Sequence, residues 1–445
     1  MAKLDKSAIV VGGGWAGLSC AVQLSQTGHQ VTLLESARQL GGRARRVPFD
    51  NHAVDNGQHV LIGAYRETLA LFKKLELAAD QHLYRTNLDL FFHSNTKKSY
   101  RLQLPNLLTP LNLFVGLFKA NGFRFTDKWN ALRFGFKLFT NSIMLTEDIS
   151  VKELLTQQNQ TPTMITVFWE PICLASLNTP IEQASARIFI RVLHDTFCRT
   201  HKDADMIIPR VDLGALLPDP AFDFIEQHHG NVHLSQRVTE LIIKDKQIVG
   251  VKCEHDRFEA DHVILATPPY TVATLAKAHP ELDDLAYNLS GFNYNPICTI
   301  YLKYPDNIRC DQPIQALLNT HTQWLIDRHI AGSPGLMAAV ISGPGEHMQW
   351  DNQALIEKVS QEVAQQYPHW PAPLDSTVIR EKRATFDCCP TIDILRPPNQ
   401  TSVQRLWLAG DYTQTGYPAT LESAILSGQH AATLVSQHTA TTIQH

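Results

Sequence analysis

Three glycines and a carboxylate near the amino end have the types and spacing to hold a dinucleotide. Gly12, Gly14 and Gly17 stand in a Gly-x-Gly-x-x-Gly run between the apolar stretch Ala8 to Val11 and the helix-like stretch Leu18 to Gln26. The first glycine permits a tight turn, the second lets a pyrophosphate reach the backbone, and the third allows close packing of helix on strand. Trp15 and Ala16 lie inside that turn, where the amino end of the following helix faces phosphate charge. Glu35, with Ser36 beside it, follows about 20 residues later at the end of Val31 to Leu34, where a carboxylate can accept both hydroxyls of an adenosine ribose.

What comes next selects the dinucleotide. A second glycine pair with an arginine, Gly41-Gly42-Arg43, and then Asp55-Asn56-Gly57-Gln58-His59 would serve no purpose for NAD, whereas a flavoprotein uses such a segment to wrap the pyrophosphate and approach the ring. Arg43 can pair with phosphate; Arg45 and Arg46 either join it or are solvated surface charges. Near the other end, Gly410-Asp411 offers a carboxylate to a ribityl chain. A helix expected from about Ala419 to Val435, entered through Thr420 and Leu421, points its positive end at the flavin pyrimidine, favouring the anionic reduced ring by about 0.5 to 1 kcal/mol. Val238 from the middle of the chain completes the expected cofactor set. The cofactor is FAD.

These residues need elements to position them. Strand, glycine turn, helix, Gly28 and second strand make one βαβ unit over the first 35 residues. Strand-like runs recur at Leu241 to Ile243, Ile248 to Val251 and Val263 to Ala266, and again at Leu406 to Ala409. The expected fold is α/β with α+β elements: a Rossmann-like FAD-binding domain assembled from residues 1–85, 206–270 and 381–445, and a mixed helical and sheet substrate domain from 86–205 and 271–380. A chain of 445 residues has room for two such domains. Hydrophobic residues at 44% and charged residues at 18% exclude collagen-like, coiled-coil and wholly disordered readings. A formal charge of −4 leaves no positive field to recruit nucleic acid. The eight cysteines are scattered without a CxxC pair, so no metal site is expected and reduced thiols are. The amino end runs straight into strand and glycines, without the apolar stretch and cleavage site of a secretory leader, so a cytoplasmic protein is expected.

Gly12 to Gly17, Glu35, Gly41-Gly42-Arg43 and the segment Gly410-Asp411-Tyr412-Thr413 with Tyr417, Ala419, Leu421-Glu422-Ser423-Ala424 and Leu426-Ser427-Gly428 together resemble the FAD-dependent amine oxidase and phytoene desaturase superfamily over nearly the whole chain. The carboxyl-terminal segment is closer to the desaturase branch. Within it, Val54-Asp55-Asn56-Gly57-Gln58-His59, Trp169-Glu170-Pro171-Ile172-Cys173 and Pro209-Arg210-Val211-Asp212 resemble the squalene-associated members, the hydroxysqualene dehydroxylases. Two departures set it apart from amine oxidases. Ile297 stands where those enzymes carry a lysine beside the flavin, with Lys303 lying beyond, and Thr420 stands where they place an aromatic residue to sandwich the amine.

The resemblance implies an isoprenoid lipid substrate: hydroxysqualene is reduced to squalene by hydride from reduced flavin. Oxidative polyene desaturation is the alternative, with amine oxidation or a purely structural FAD further readings. Loss of hydroxide needs an acid or hydrogen-bond donor, and Glu170 and Asp195 are the catalytic candidates. Glu170, flanked by Trp169 and Pro171, is either a carboxyl kept protonated by desolvation or the partner of Arg187 or Arg191. Asp195 beside His194 is either that acid or part of a helix-end hydrogen bond. Arg210 and Asp212 are either structural or border the flavin. No second glycine fingerprint for a nicotinamide is present, since Gly343-Pro344-Gly345 lacks the third glycine, so electrons are expected from an external donor. Residues 104–118 hold nine large apolar residues of fifteen between Lys97, Lys98 and Arg101 on one side and Lys119, Arg124 and Lys128 on the other. Such a stretch falls short of the roughly 20 residues needed to span a bilayer. It is either an internal helix or a peripheral contact with the inner face of the cytoplasmic membrane.

Overall fold

The computed structural model describes residues 6–49, 52–94 and 98–443. Lys97 and the outermost residues of both terminal segments lie outside these ranges.

Five short apolar runs, distant in sequence, form one parallel sheet in the order Asn231–His233, Gln30–Leu34, Ser7–Val11, His262–Leu265, Leu406–Leu408. Strands buried on both faces read as continuous aliphatic runs, and Ile9, Val10, Leu33, Val263, Ile264 and Leu408 are sealed from solvent as that rule requires. Helix Trp15–Gln26 covers one face and packs along Leu421–Ile443. It ends at Thr27 and Gly28, the latter at φ +81°, as expected for a glycine that stops a helix. The fold is α/β with additional mixed sheets, as expected. The strand-like runs of the middle block divide between two sheets. Val238–Lys244 and Gln247–Cys253 do not enter the parallel sheet; they form an antiparallel hairpin with Arg257–Glu259 beside it. Asp245 and Lys246, both at positive φ, make the tight turn that closes the hairpin.

A second, seven-stranded sheet runs Asp375–Phe386, Tyr294–Lys303, Leu336–Ser342, Trp324–Asp327, Ile314–Leu318, Asp89–Ser94, Ser99–Gln103. Against it lie the helices of 111–197, joined through an aromatic cluster. Phe168 packs edge-on to Phe92 at 6.3 Å and to Trp169 at 4.7 Å, and Trp169 continues to Phe134 at 5.3 Å. Among the described residues no helix is long and apolar enough to cross a membrane.

Candidate active site

A single cavity of about 1410 Å³ runs from the first glycine turn into the space between the seven-stranded sheet and its helices. Pockets for one small ligand measure about 300 to 1,000 Å³, so this one has room for a dinucleotide and a further molecule.

Its polar end is built by two stacked loops. Gly12, at φ +111°, turns the chain so tightly that a Cβ there would stand 2.6 Å from the Ala266 carbonyl oxygen. The Gly41 amide donates to the Gly13 carbonyl at 2.8 Å, and the Trp15 indole Nε1 donates to the Ala44 carbonyl at 3.1 Å, clamping the second glycine loop onto the first. Gly12, Gly14, Trp15, Ala16, Ser36, Gly42 and Arg43 all reach the wall. Gly17 does not; it packs below, where a Cβ would meet the Gly12 carbonyl oxygen at 1.9 Å. Glu35 closes this end. Its Oε2 accepts from the Gly13 amide and its Oε1 from the Ala37 amide, each at 2.7 Å, which fixes the carboxylate and leaves lone pairs for further donors. Val238 lies in the wall nearby.

The middle of the cavity is held by Arg43 and Asp411. Arg43 Nη2 donates to both carboxylate oxygens of Asp411, at 2.7 and 2.8 Å, while its Nη1 donates to the Ala384 carbonyl at 2.9 Å. The sequence suggests a phosphate partner for Arg43; the structure brings it a carboxylate across 368 residues. Arg45 lines the wall, whereas Arg46 turns away to Asp212 and Asp219. Gly57, Gln58 and His59 form one side. Gln58 donates to the Tyr301 hydroxyl at 2.6 Å and accepts from Arg328 Nη1 at 3.0 Å, and Arg328 pairs with buried Asp55 at 3.2 Å. Burial raises the Asp55 carboxyl to about 6 although Arg328 opposes the rise. Burial also lowers His59 to about 4, so a neutral imidazole faces the cavity. The last helix starts at Leu421, two residues later than expected, because Thr420 caps it: its Oγ1 accepts from the Ser423 amide at 3.2 Å. Gly410, Thr420 and Leu421 line the wall at that end.

The residues fit a flavin dinucleotide. Glycine turns, a carboxylate with lone pairs to spare and a helix amino end succeed one another along the wall. The hydroxyls of Thr267 and Tyr412, both wall residues, are buried without partners among the described residues.

Beyond lies an apolar chamber bordered by Leu88, Leu90, Ile172, Leu174, Val192 and Trp324, with Ile297 in its wall. A charged cluster touches it. Asp195 Oδ2 accepts from the Tyr417 hydroxyl at 2.5 Å and from Arg191 Nε at 2.8 Å; Arg199 Nη2 reaches its Oδ1 at 2.8 Å and His194 Nδ1 stands 3.3 Å away. Arg191 also donates to the Tyr417 oxygen at 3.1 Å and lies over its ring. Burial alone would raise the Asp195 carboxyl, but the bonds from Tyr417, Arg191 and His194 outweigh it and hold the group below its ordinary value. Asp195 is therefore an anion, and the expectation that it donates a proton is corrected. Tyr417 shifts upward, mainly by burial.

Glu170 is also corrected. It does not line the cavity, although burial raises its carboxyl as expected; the charges nearest it are Glu182 and Lys152. Neither expected arginine pairs with it. Arg191 serves Asp195, and the Arg187 amide donates to Asp148. Arg210 and Asp212 are outside the wall as well: Arg210 lies over the Tyr84 ring and Asp212 caps the turn Leu213–Leu216. In the sequence Tyr417 reads only as part of the carboxyl-terminal motif, and Arg199 does not stand out. The spacing of Arg191, Asp195 and Arg199, four residues apart along the end of one helix and just past it, is the signal that could have found the cluster.

The family of flavin containing amine oxidoreductases matches this chain over residues 15–436. A hydroxysqualene dehydroxylase of Sinorhizobium fredii is 25% identical over 98% of this chain and 100% of its own length. A zeta-carotene desaturase of Zea mays is 23% identical over 96% of this chain and 82% of its own. An oxidoreductase from Methanosarcina mazei superposes with a TM-score of 0.75 at 16% identity, covering 95% of this chain and 99% of that one, which shows a shared fold.

Proposed function

The chain belongs to the flavin-containing amine oxidoreductase family and is an FAD-dependent oxidoreductase, and from that premise we propose that it removes the hydroxyl of an isoprenoid alcohol, hydroxysqualene, to give squalene. The observation that carries the reading is the continuity of a dinucleotide cradle with a large apolar chamber whose wall includes the hydroxyl of Tyr417, anchored on the charged Asp195 cluster. The near-full-length likeness to the Sinorhizobium fredii enzyme supports the choice of substrate.

When bound in its reduced form, FAD supplies a hydride and a proton. In the net change one C–O bond breaks, one C–H bond forms, and the hydroxyl leaves as water. The protein's own part is to bind, orient and keep the chamber dry. Tyr417 donates to Asp195 and accepts from Arg191, so one lone pair on its oxygen is left to accept from the alcohol and fix the direction of the C–O bond. Arg191 and Arg199 neutralise Asp195, which keeps an anion beside the chamber without leaving it unpaired. The aliphatic wall excludes water from a cationic carbon centre. An amine finds no seat, since Ile297 and Thr420 stand in the wall in place of a lysine and an aromatic residue.

An external donor reduces the flavin, and the lipid arrives by a peripheral contact at the cytoplasmic face of the membrane. The likeness to zeta-carotene desaturase favours oxidative desaturation as a second reading. Anaerobic mixing separates the two: reduced holoprotein with hydroxysqualene regains its yellow colour and yields squalene under the first, whereas oxidised holoprotein bleached by a saturated polyprenoid supports the second.

A further inference from the structure

Two neighbouring helices leave their apolar faces uncovered. On Leu111–Lys119 the large side chains at 111, 114 and 118 share one face, and on Phe125–Phe139 those at 125, 129 and 136 do. Phe118 is 68% exposed and Phe125 69%, in a chain that otherwise buries its phenylalanines well. The opposite faces are packed. Gly116 sits so close to the strand beneath that a Cβ there would meet the Leu104 side chain at 2.6 Å, and Ala131, Phe134 and Leu138 are buried. The helices are tied together by the Lys128 ammonium, which donates to the Phe118 carbonyl at 2.8 Å, and the rings of Phe125 and Trp129 stack at 6.4 Å. The exposed faces therefore form one platform.

Its charge is the opposite of the chain's. Between residues 98 and 144 stand seven lysines or arginines and one acid, in a protein of net charge −4. The acid, Asp127, is buried, accepting from the Arg124 amide and the Thr161 hydroxyl. Arg101 pairs with Asp89; among the described residues none of the other six is paired with a carboxylate. Apolar side chains rimmed by unpaired cations match the interface of an anionic bilayer. The same cations oppose face-to-face pairing with a second copy, where like patches would meet.

We propose that the paired helices 111–119 and 125–139 are the surface by which this protein lies on an anionic membrane. The docking rests on the composition of this surface; its use, delivery of a lipid to the chamber, rests on the function proposed above. The platform backs onto the chamber. Phe134 packs on Trp169, Trp169 on Phe189 at 6.4 Å, and the helix carrying Phe189, Ala186–Phe197, contributes Val192 and Leu193 to the cavity wall.

Cosedimentation of the full-length holoprotein with vesicles tests this. It is expected to bind phosphatidylglycerol–phosphatidylcholine vesicles, with each basic group adding about fivefold, and to bind phosphatidylcholine alone weakly. The double variant Phe118→Glu, Trp129→Glu should lose about a hundredfold in partition while keeping its FAD content and its thermal midpoint; Tyr287→Glu, at an exposed position elsewhere, should bind as the parent does. Parent protein that ignores anionic vesicles, a double variant that binds equally well, or a parent dimer that the same substitutions turn into a monomer would each overturn the proposal. Vesicle binding that persists in a protein inert toward every isoprenoid alcohol would leave the docking standing and defeat only the assigned activity.

Discussion

Replacing Tyr417 with phenylalanine removes one oxygen and separates the two roles assigned to it. The phenol donates to Asp195 at 2.5 Å and accepts from Arg191 at 3.1 Å. Asp195 keeps Arg191 and Arg199, both at 2.8 Å, so the variant leaves no unpaired buried charge. Loss of folding stability should stay near that of one hydrogen bond to a charged group, about 1.5 to 3 kcal/mol at most, and FAD content should match the parent. Turnover behaves differently if Tyr417 holds the substrate hydroxyl. A single lost hydrogen bond of about 1.4 kcal/mol lowers kcat/KM for the alcohol about tenfold. Affinity for squalene, which has no hydroxyl, should not change. Measuring kcat/KM for the alcohol alongside squalene inhibition gives the decisive ratio. Equal effects on alcohol and hydrocarbon, or none on either, would refute the role of Tyr417.

Further outcomes follow from the geometry. Gly17→Ala forces a methyl onto the Gly12 carbonyl, 1.9 Å from its Cβ, so the glycine turn must shift; overpacking costs of about 1 to 3 kcal/mol should appear as weaker FAD binding in a fluorescence titration. Glu35→Ala leaves the Gly13 and Ala37 amides without their acceptor and should raise the FAD dissociation constant at least about tenfold, read in the same titration. Acid should destabilise the fold through His262. Burial pushes this histidine down to about 3, with His438 and His29 adding to the fall, while Trp407 donates to its Nδ1 at 3.2 Å. The unfolded chain takes up the proton below about pH 6.5, so this contribution is complete above that pH and is lost toward pH 3, amounting to about 2 kcal/mol at pH 5. Thermal melts of the parent at pH 7 and 5 should show the loss, and His262→Leu should flatten it; an unchanged slope would contradict the assignment.

The glycine-turn end of the cradle was legible because its parts lie close in the chain. Strand, Gly12 to Gly17, helix and Glu35 occupy one βαβ unit, where spacing translates directly into geometry. The charged cluster was not, because Tyr417 and Asp195 are 222 residues apart and meet only when the loop ahead of the last helix reaches the helix Ala186–Phe197. Glu170 misled for a related reason. Apolar neighbours correctly predicted desolvation but say nothing about which way a side chain faces, and a π-helical turn at Ile165–Trp169 immediately precedes it. The hairpin Val238–Cys253 was legible as strands but not in its pairing, because an apolar run does not name its partner strand. At the platform, sequence singled out 104–118 by its hydrophobicity; the second helix escaped because its apolar residues are spaced among Asp127, Lys128, Arg133 and Lys137.

The central claim is that reducing power stored on the flavin ends up on carbon, in place of oxygen. Single turnover of fully reduced holoprotein with hydroxysqualene in deuterated solvent without oxygen, followed by mass spectrometry of the lipid, tests it most directly. The account predicts squalene bearing one deuterium at the former carbinol carbon, in an amount matching the flavin reoxidised. Alcohol recovered intact beside flavin that remains reduced, or a product with additional double bonds and no deuterium, would contradict it.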